Sequence, residues 1–311
     1  MSEFPEVRRV THTEVSNVLG SIPYYVSDII DNYGLAHRPL TPRETESAVL
    51  KLVQTVCSES LPLSGPARHP TWEEGWAENL RAFDVSKSGP ELAEPRYYNK
   101  SPIVRWHGEL YRIESDNYEY NMLKSLQYFI FYKYFRDVND IFEFGCGTGH
   151  NLFRVADVNP AARLHGFDWA ESAVKFVNLM YQHKKIGAQA SQFNFFDPPS
   201  GAHLPEKSGV YTVAALEQVG ENFGPWINYI LRQKPRIVVH IEPIAEVLKP
   251  RENLLDDLCI RYMEKRNYLK GYLPYLKKLE REGHIKIHDV IRTRVGSLFI
   301  EGYTIVTWSC L

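Results

Sequence analysis

The stretch "DIFEFGCGTGHNLFRV" (140–155) limits the possible folds more than any other part of the chain: an apolar strand pattern runs into three glycines at alternate positions, then into a helical pattern. Glycine strips the turn of side chains, so the backbone can reverse tightly and approach a ligand to contact distance. Beyond it the chain keeps alternating. Strands are expected at 140–145, 163–168, 191–196, 210–216 and 236–242, with helical patterns such as "NLFRVADV" and "ESAVKFVNLMYQHKK" between them. This predicts an α/β fold with a doubly wound, mostly parallel sheet covered on both faces. Two strand patterns in succession within "GHIKIHDVIRTRVGSLFIEGYTIVTWS" predict an antiparallel pair that closes it. Ligands of such sheets bind beyond the carboxyl ends of the strands, which makes residues 145–149 a candidate cofactor loop.

The dinucleotide pattern G-x-G-x-x-G needs glycine where His150 stands, and a phosphate loop of the G-x-x-x-x-G-K-[ST] type is absent. What remains is E-x-G-x-G-x-G. A carboxylate at Glu143 repels a pyrophosphate but suits an ammonium or sulfonium ligand. "FEFGCGTG" resembles motif I of the class I methyltransferases that use S-adenosylmethionine. The resemblance covers about residues 125–311 and implies a seven-stranded sheet with its last strand inserted antiparallel, S-adenosylmethionine as cofactor and S-adenosylhomocysteine as product. It places Glu143, Gly145, Cys146, Gly147 and Gly149 at the cofactor. In "GFDWAESAV" it implies that Asp168 holds the ribose hydroxyls, with Trp169 packing on adenine. In "NFFDPP" it aims Asp197 at the adenine amino group, and in "AALEQVG" it sets Glu217 and Gln218 beside the methionine portion and the transferred methyl. Asp197-Pro198-Pro199 also resembles the D-P-P motif of enzymes that methylate base amino groups. Ser200 replaces the aromatic residue that would stack on a flipped base, and the motif follows the third strand, so it is read as a cofactor contact and a rigid turn.

Methyl transfer to a hydroxyl asks for a base with a pKa near working pH, and histidine is the natural one. His240 and Glu242 in "VVHIEPI" share a strand face at an edge that borders the expected cleft. They are assigned as catalytic, with Glu217; the alternative is a pair satisfied inside the helix layer. His107 and His150 are lesser candidates. His284 and His288 share a strand face without a third ligand, so no metal site is assigned.

The chain changes character near residue 136. Residues 1–135 are expected to form a mainly helical, aromatic-rich region acting as substrate cap or dimer surface, and 136–311 the cofactor-binding domain. "THTEVSNVLG" and "TPRETESAVLKLVQTVC" open with helix caps, while "LPLSGPARHP" and "SKSGPELAEP" read as loops. Trp72, Trp76 and Leu80 recur every four residues as one face of a short helix, a core stripe. Twelve of residues 97–135 are Phe, Tyr or Trp against 13% in the whole chain, so the segment needs a partner surface. "NYEYNMLKSLQYFIFYKYF" reads as an amphipathic helix packed on the following domain. "YYNKSPIVRWHGELYR" reads as an extended segment that lines a substrate pocket, with Arg105, His107 and Arg112 as polar handles and His150 as a further substrate contact.

A formal charge of −2 over 311 residues gives no basic field for nucleic acid, and no stretch reaches the ~20 apolar residues that span a bilayer. Four scattered cysteines signal neither disulfides nor a zinc site and fit a cytoplasmic protein. Residues 261–288 carry eight Lys or Arg against three Glu, the solvated face of a helix or an attraction for an anionic acceptor. The function expected is methylation of a hydroxyl on a small polar molecule, such as a sugar or sugar nucleotide. Alternatives are methylation of nitrogen, carbon or a carboxylate, and a noncatalytic module that binds the cofactor.

Overall fold

The computed structural model describes residues 5–83, 93–95, 98, 101–184, 186–201 and 203–311. The expected loop at 86–95, apart from 93–95, and Tyr97, Asn99 and Lys100 of the aromatic segment lie outside the described residues.

Local rules set the first helices. The chain runs through β1 (Arg8–Arg9), α1 (His12–Leu19), α2 (Tyr24–Tyr33), β2 (Ala36–Pro39), α3 (Pro42–Cys57), α4 (His69–Arg81), β3 (Ile103–Trp106), β4 (Glu109–Ile113) and α5 (Tyr118–Phe135). Thr11 and Thr41 cap α1 and α3, each accepting from the amide three residues on while Glu14 or Glu44 reaches back to the cap amide. Each such cap contributes about 1 kcal/mol. The hairpin of β3 and β4 turns at His107 and Gly108, with φ of 53° and 86°, the paired positive values of a type I′ turn.

Next come β5 (Asp140–Phe144), α6 (His150–Val158), β6 (Arg163–Asp168), α7 (Glu171–Lys184), β7 (Ala188–Gln192), β8 (Gly209–Val213), α8 (Gly224–Gln233), β9 (Ile237–Glu242), α9 (Leu254–Lys265), α10 (Tyr272–Arg281), β10 (Ile285–Ile291), β11 (Gly296–Ser297) and β12 (Thr304–Cys310). Seven strands form one sheet in the order β10-β12-β9-β8-β5-β6-β7. The last strand, β12, lies antiparallel between β9 and β10, and the pairs from β9 through β7 are parallel. The doubly wound sheet with an inserted antiparallel last strand is therefore present. Its inner strands β5, β8 and β9 are buried at every residue, as strands covered on both faces must be.

Two expectations need correction. The third strand ends at Gln192, not 196, because its pairing with β6 runs out at Asp168, after which the Asn194 side chain accepts from the Phe196 amide and turns the chain. Helix α5 is not a two-faced helix: it is buried on nearly all sides, wedged between α2 and α6. The N-terminal region is mainly helical, as expected, but not wholly so. It holds a second sheet, in the order β1-β2-β4-β3-β11, whose β11 comes from residues 296–297. That pairing crosses the expected boundary at 135. Beside it Arg292 bonds both oxygens of Glu301 (2.8 and 2.8 Å) and Asp256 (2.6 Å). Among the described residues no helix is long and apolar enough to cross a membrane.

Candidate functional site

A cleft opens at the carboxyl ends of β5, β6 and β8. The sheet order reverses there, since β5 is followed in the chain by β6 on one side and by β8 on the other.

Its floor is the glycine turn. Gly145 has φ +75°, and a Cβ on it would stand 2.3 Å from that of Ala215, in the turn after β8. Gly147, at φ +51°, would meet the Trp76 ring at 2.8 Å. Side chains at either place would close the cleft. Cys146 lines it too, its thiol pushed up by burial. Gly149 faces away: it heads α6 and packs against Val177 and Tyr181 of α7.

Asp168 ends β6 at the cleft wall. Its carboxylate accepts from the amides of Gly147 (2.8 Å) and Ala170 (3.0 Å), one on each oxygen. The Trp169 amide lies close as a further donor, the carboxylate keeps acceptor capacity beyond these amides, and burial pushes the group up to about 6. Trp169 follows, held edge-on to His69 at 5.1 Å.

Glu143 is not at the cleft surface. It is fully buried beneath the turn, accepting from Asn151 Nδ2 (2.6 Å) and the Tyr211 hydroxyl (2.9 Å), and desolvation raises it to about 8. Asn151 lines the cleft in its stead. Asp197 is exposed and off the cleft, because the early end of β7 turns Phe195 and Phe196 inward instead.

The assigned catalytic group is also redistributed. His240 is a core residue. Trp308 Nε1 (3.1 Å) and the Tyr272 hydroxyl (2.7 Å) both donate to its Nε2, leaving Nδ1–H to donate to Thr212 Oγ1 (2.9 Å). Burial lowers it to about 3, so it is neutral and satisfied in the helix layer. Glu242 accepts from the backbone amides of Ala215, Leu216 and Glu217 at 3.0–3.1 Å and from Thr212, so it is a clamp for the turn after β8. Glu217 accepts from Gln218 Nε2 (2.8 Å) and from Tyr268; desolvation, then Glu242, raises it to about 8. Its neighbour Gln218, not Glu217, lines the cleft.

Of the polar handles, Arg105 is buried under β11, donating to Leu298 O (3.2 Å) and Leu255 O (3.0 Å). His107 is the hairpin turn, and Arg112 pairs with Glu44 at 3.4 Å on β4. None of the three reaches the cleft. His150 does. His284 is exposed, and His288 meets Ser309 Oγ at 2.9 Å. Among the described residues no three His, Cys, Asp or Glu side chains are grouped to hold a metal ion.

The roof was missed. Trp72 and Trp76 of α4 stack on each other at 5.8 Å and close the cleft from the N-terminal region. Their four-residue spacing shows a covered face, but not that a ligand cleft covers it. Among the described residues the lining holds five aromatic rings (Trp72, Trp76, Trp169, Phe195 and Phe196), one carboxylate and no Lys or Arg.

No family model and no curated protein matches the chain. Solved structures do. An O-methyltransferase from neocarzinostatin biosynthesis, solved with S-adenosylhomocysteine and 1,4-dihydroxy-2-naphthoic acid, is 15% identical with TM-score 0.44, over 86% of this chain and 69% of that one. A geranyl diphosphate C-methyltransferase from Streptomyces coelicolor is 12% identical with TM-score 0.45, over 64% and 85%. A Podospora anserina methyltransferase bound to S-adenosylhomocysteine is 9% identical with TM-score 0.42, over 88% and 97%.

Proposed function

We propose that the chain is an S-adenosylmethionine-dependent methyltransferase that acts on a hydroxyl of a small polar molecule. The observation that carries the reading is the lining of the switch-point cleft: one carboxylate, Asp168, among aromatic faces, with no cationic side chain among the described residues. A phosphate-bearing dinucleotide finds no counter-charge there. A nucleoside with a cationic sulfur finds a diol acceptor and electron-rich rings.

The residues present fit that group. The open lone pairs of Asp168 accept the two ribose hydroxyls, Trp169 and Phe196 flank a flat base, and the bare Gly145 and Gly147 admit the thinner methionine arm. The cofactor supplies an electrophilic methyl, so the protein mainly aligns acceptor and donor, which can contribute ~7–11 kcal/mol. The clamp from Glu242 fixes the turn that carries Ala215 and Gln218, and Trp72 and Trp76 exclude water from above. The N-terminal region thus acts as a cap over the site.

Calorimetry with S-adenosylmethionine tests the reading. Asp168→Ala removes two charge-assisted hydrogen bonds at ~1.5–3 kcal/mol each, so affinity should fall ~10²-fold or more. Unchanged affinity sinks the assignment. A labelled-methyl assay on fractionated extract then identifies the acceptor, and tight binding with no labelled product would make the chain a binding module instead.

A further inference from the structure

His150 heads α6, is buried and lines the cleft. Its hydrogen bonds define its tautomer. The Thr148 hydroxyl donates to Ala93 O, so towards His150 Nδ1, 3.3 Å away, it can only accept. Nδ1 therefore carries the proton and Nε2 a bare lone pair. That lone pair has no partner among the described residues. Leaving a buried acceptor unmet costs ~1–3 kcal/mol, so a ligand that donates to it is favoured.

Two cations face the ring. Arg154, one turn along α6 and also buried, donates to His150 O and to the Tyr120 hydroxyl; its Nε is unpartnered, and no carboxylate lies within ion-pair distance among the described residues. Lys124 of α5 stands over the Tyr120 ring at 4.5 Å, with Glu94 at 3.5 Å. The rings of Tyr98 and Tyr120 lie 6.4 and 6.0 Å from His150. This surrounding field opposes a second proton on the imidazole, whose pKa is driven well below its ordinary value, by burial first and then by Arg154 and Lys124. The same field favours an oxyanion nearby.

We propose that His150, not His240, receives the acceptor's proton, and that the acceptor is an acidic hydroxyl, phenolic or enolic, on a flat ring rather than a sugar hydroxyl. The inference rests on the methyltransferase reading. As the O–H bond breaks, its proton passes to His150 Nε2. The oxygen takes the methyl carbon while the carbon–sulfur bond breaks, its electron pair staying on sulfur as a neutral thioether, and the proton then leaves to solvent. A weakly basic imidazole beside the Arg154 guanidinium, which favours an oxyanion, matches a hydroxyl that ionises easily and mismatches an aliphatic one. Arg154 and Lys124 act through the field, as positioning residues. The Trp72 indole N–H, buried without an acceptor among the described residues, offers the ring a donor from the roof.

The test is nitrogen NMR on protein labelled with ¹⁵N-histidine. Binding of S-adenosylhomocysteine is first measured by calorimetry, and its failure would count against the methyltransferase reading itself. In the loaded protein the His150 signal, assigned by its loss in His150→Gln or through contacts from the Tyr98 and Tyr120 rings, should show the neutral Nδ1–H form across pH 6–8. Phenol should move its Nε2 resonance upfield, and cyclohexanol should not. With binding intact, an Nε2–H tautomer, an imidazolium at pH 7, no response to phenol or an equal response to cyclohexanol each overturns the inference.

Discussion

Replacing His240 by alanine distinguishes a core residue from a catalytic one. The substitution removes three hydrogen bonds of 2.7–3.1 Å and strands the Trp308 N–H and the Tyr272 O–H, both on fully buried side chains. Each stranded donor costs ~1–3 kcal/mol, and the space left by the ring adds to it, for a total of about 3–6 kcal/mol. At ~2–4 °C per kcal/mol for a chain of this order, Tm should fall by about 6–24 °C. The cleft should hardly notice: His240 does not line it, and affinity for S-adenosylmethionine, measured by calorimetry well below the transition, should stay within about threefold. The loss should also depend on pH. In the folded protein the ring stays neutral down to about 3, while unfolded it takes a proton near its ordinary value of 6.5. The stability contributed by the neutral ring is full above 6.5 and is lost as pH falls towards 3, so the gap between the two proteins should narrow on acidification. A variant that keeps its Tm but loses turnover by a hundredfold would refute this and return His240 to the chemistry.

Gly147→Ala combines a strained φ of +51° with a clash against Trp76, so it should cost ~1–2 kcal/mol in the turn and weaken cofactor binding about tenfold or more; tryptophan fluorescence should report the displaced indole. Glu143→Gln should flatten part of the pH dependence of stability. Between 4.5 and about 8 the unfolded chain has released a proton that the folded one keeps, so wild-type stability declines with rising pH by at most ~1.4 kcal/mol per unit, and urea titrations should show the wild type losing ground to the variant over that window. Arg292→Met leaves Asp256 and Glu301 buried without their cation and should cost ~3–5 kcal/mol in urea unfolding.

Where the sequence was legible, one physical rule acted alone. The strand at 163–168 and the caps at Thr11 and Thr41 are local, and each lies where its pattern puts it. Asp168 reaches the cleft wall because β6 ends on it at the carboxyl edge of the sheet, beside the glycine turn whose Gly147 amide it holds. His240 and Glu242 were misread because β9 is covered on both faces, and a period of two says that side chains alternate but not which layer receives them. Asp197 was misplaced by four residues of strand, a difference decided by β6 running out of partners. Glu143 was misread by sign: an acid before the glycines suits a cation, yet Tyr211 and Asn151 take both its oxygens. Trp72 and Trp76 satisfied a pattern that cannot distinguish a ligand from a neighbouring helix.

The placement of β12 has a consequence for synthesis. Strand β9 is complete at residue 242 and β10 at 291, yet each pairs with β12 at 304–310, and β10 joins the sheet only through it. While the chain emerges from its N-terminal side, one edge of β9 offers six buried-type residues and open backbone groups to any passing strand. Strand β3 likewise waits for 296–297. Both sheets are therefore closed by the same late stretch of chain, and a nascent protein stalled before it carries two open edges. Ribosome-bound chains halted at residue 295 should accordingly recruit chaperones more strongly than chains halted beyond the sheet's last strand.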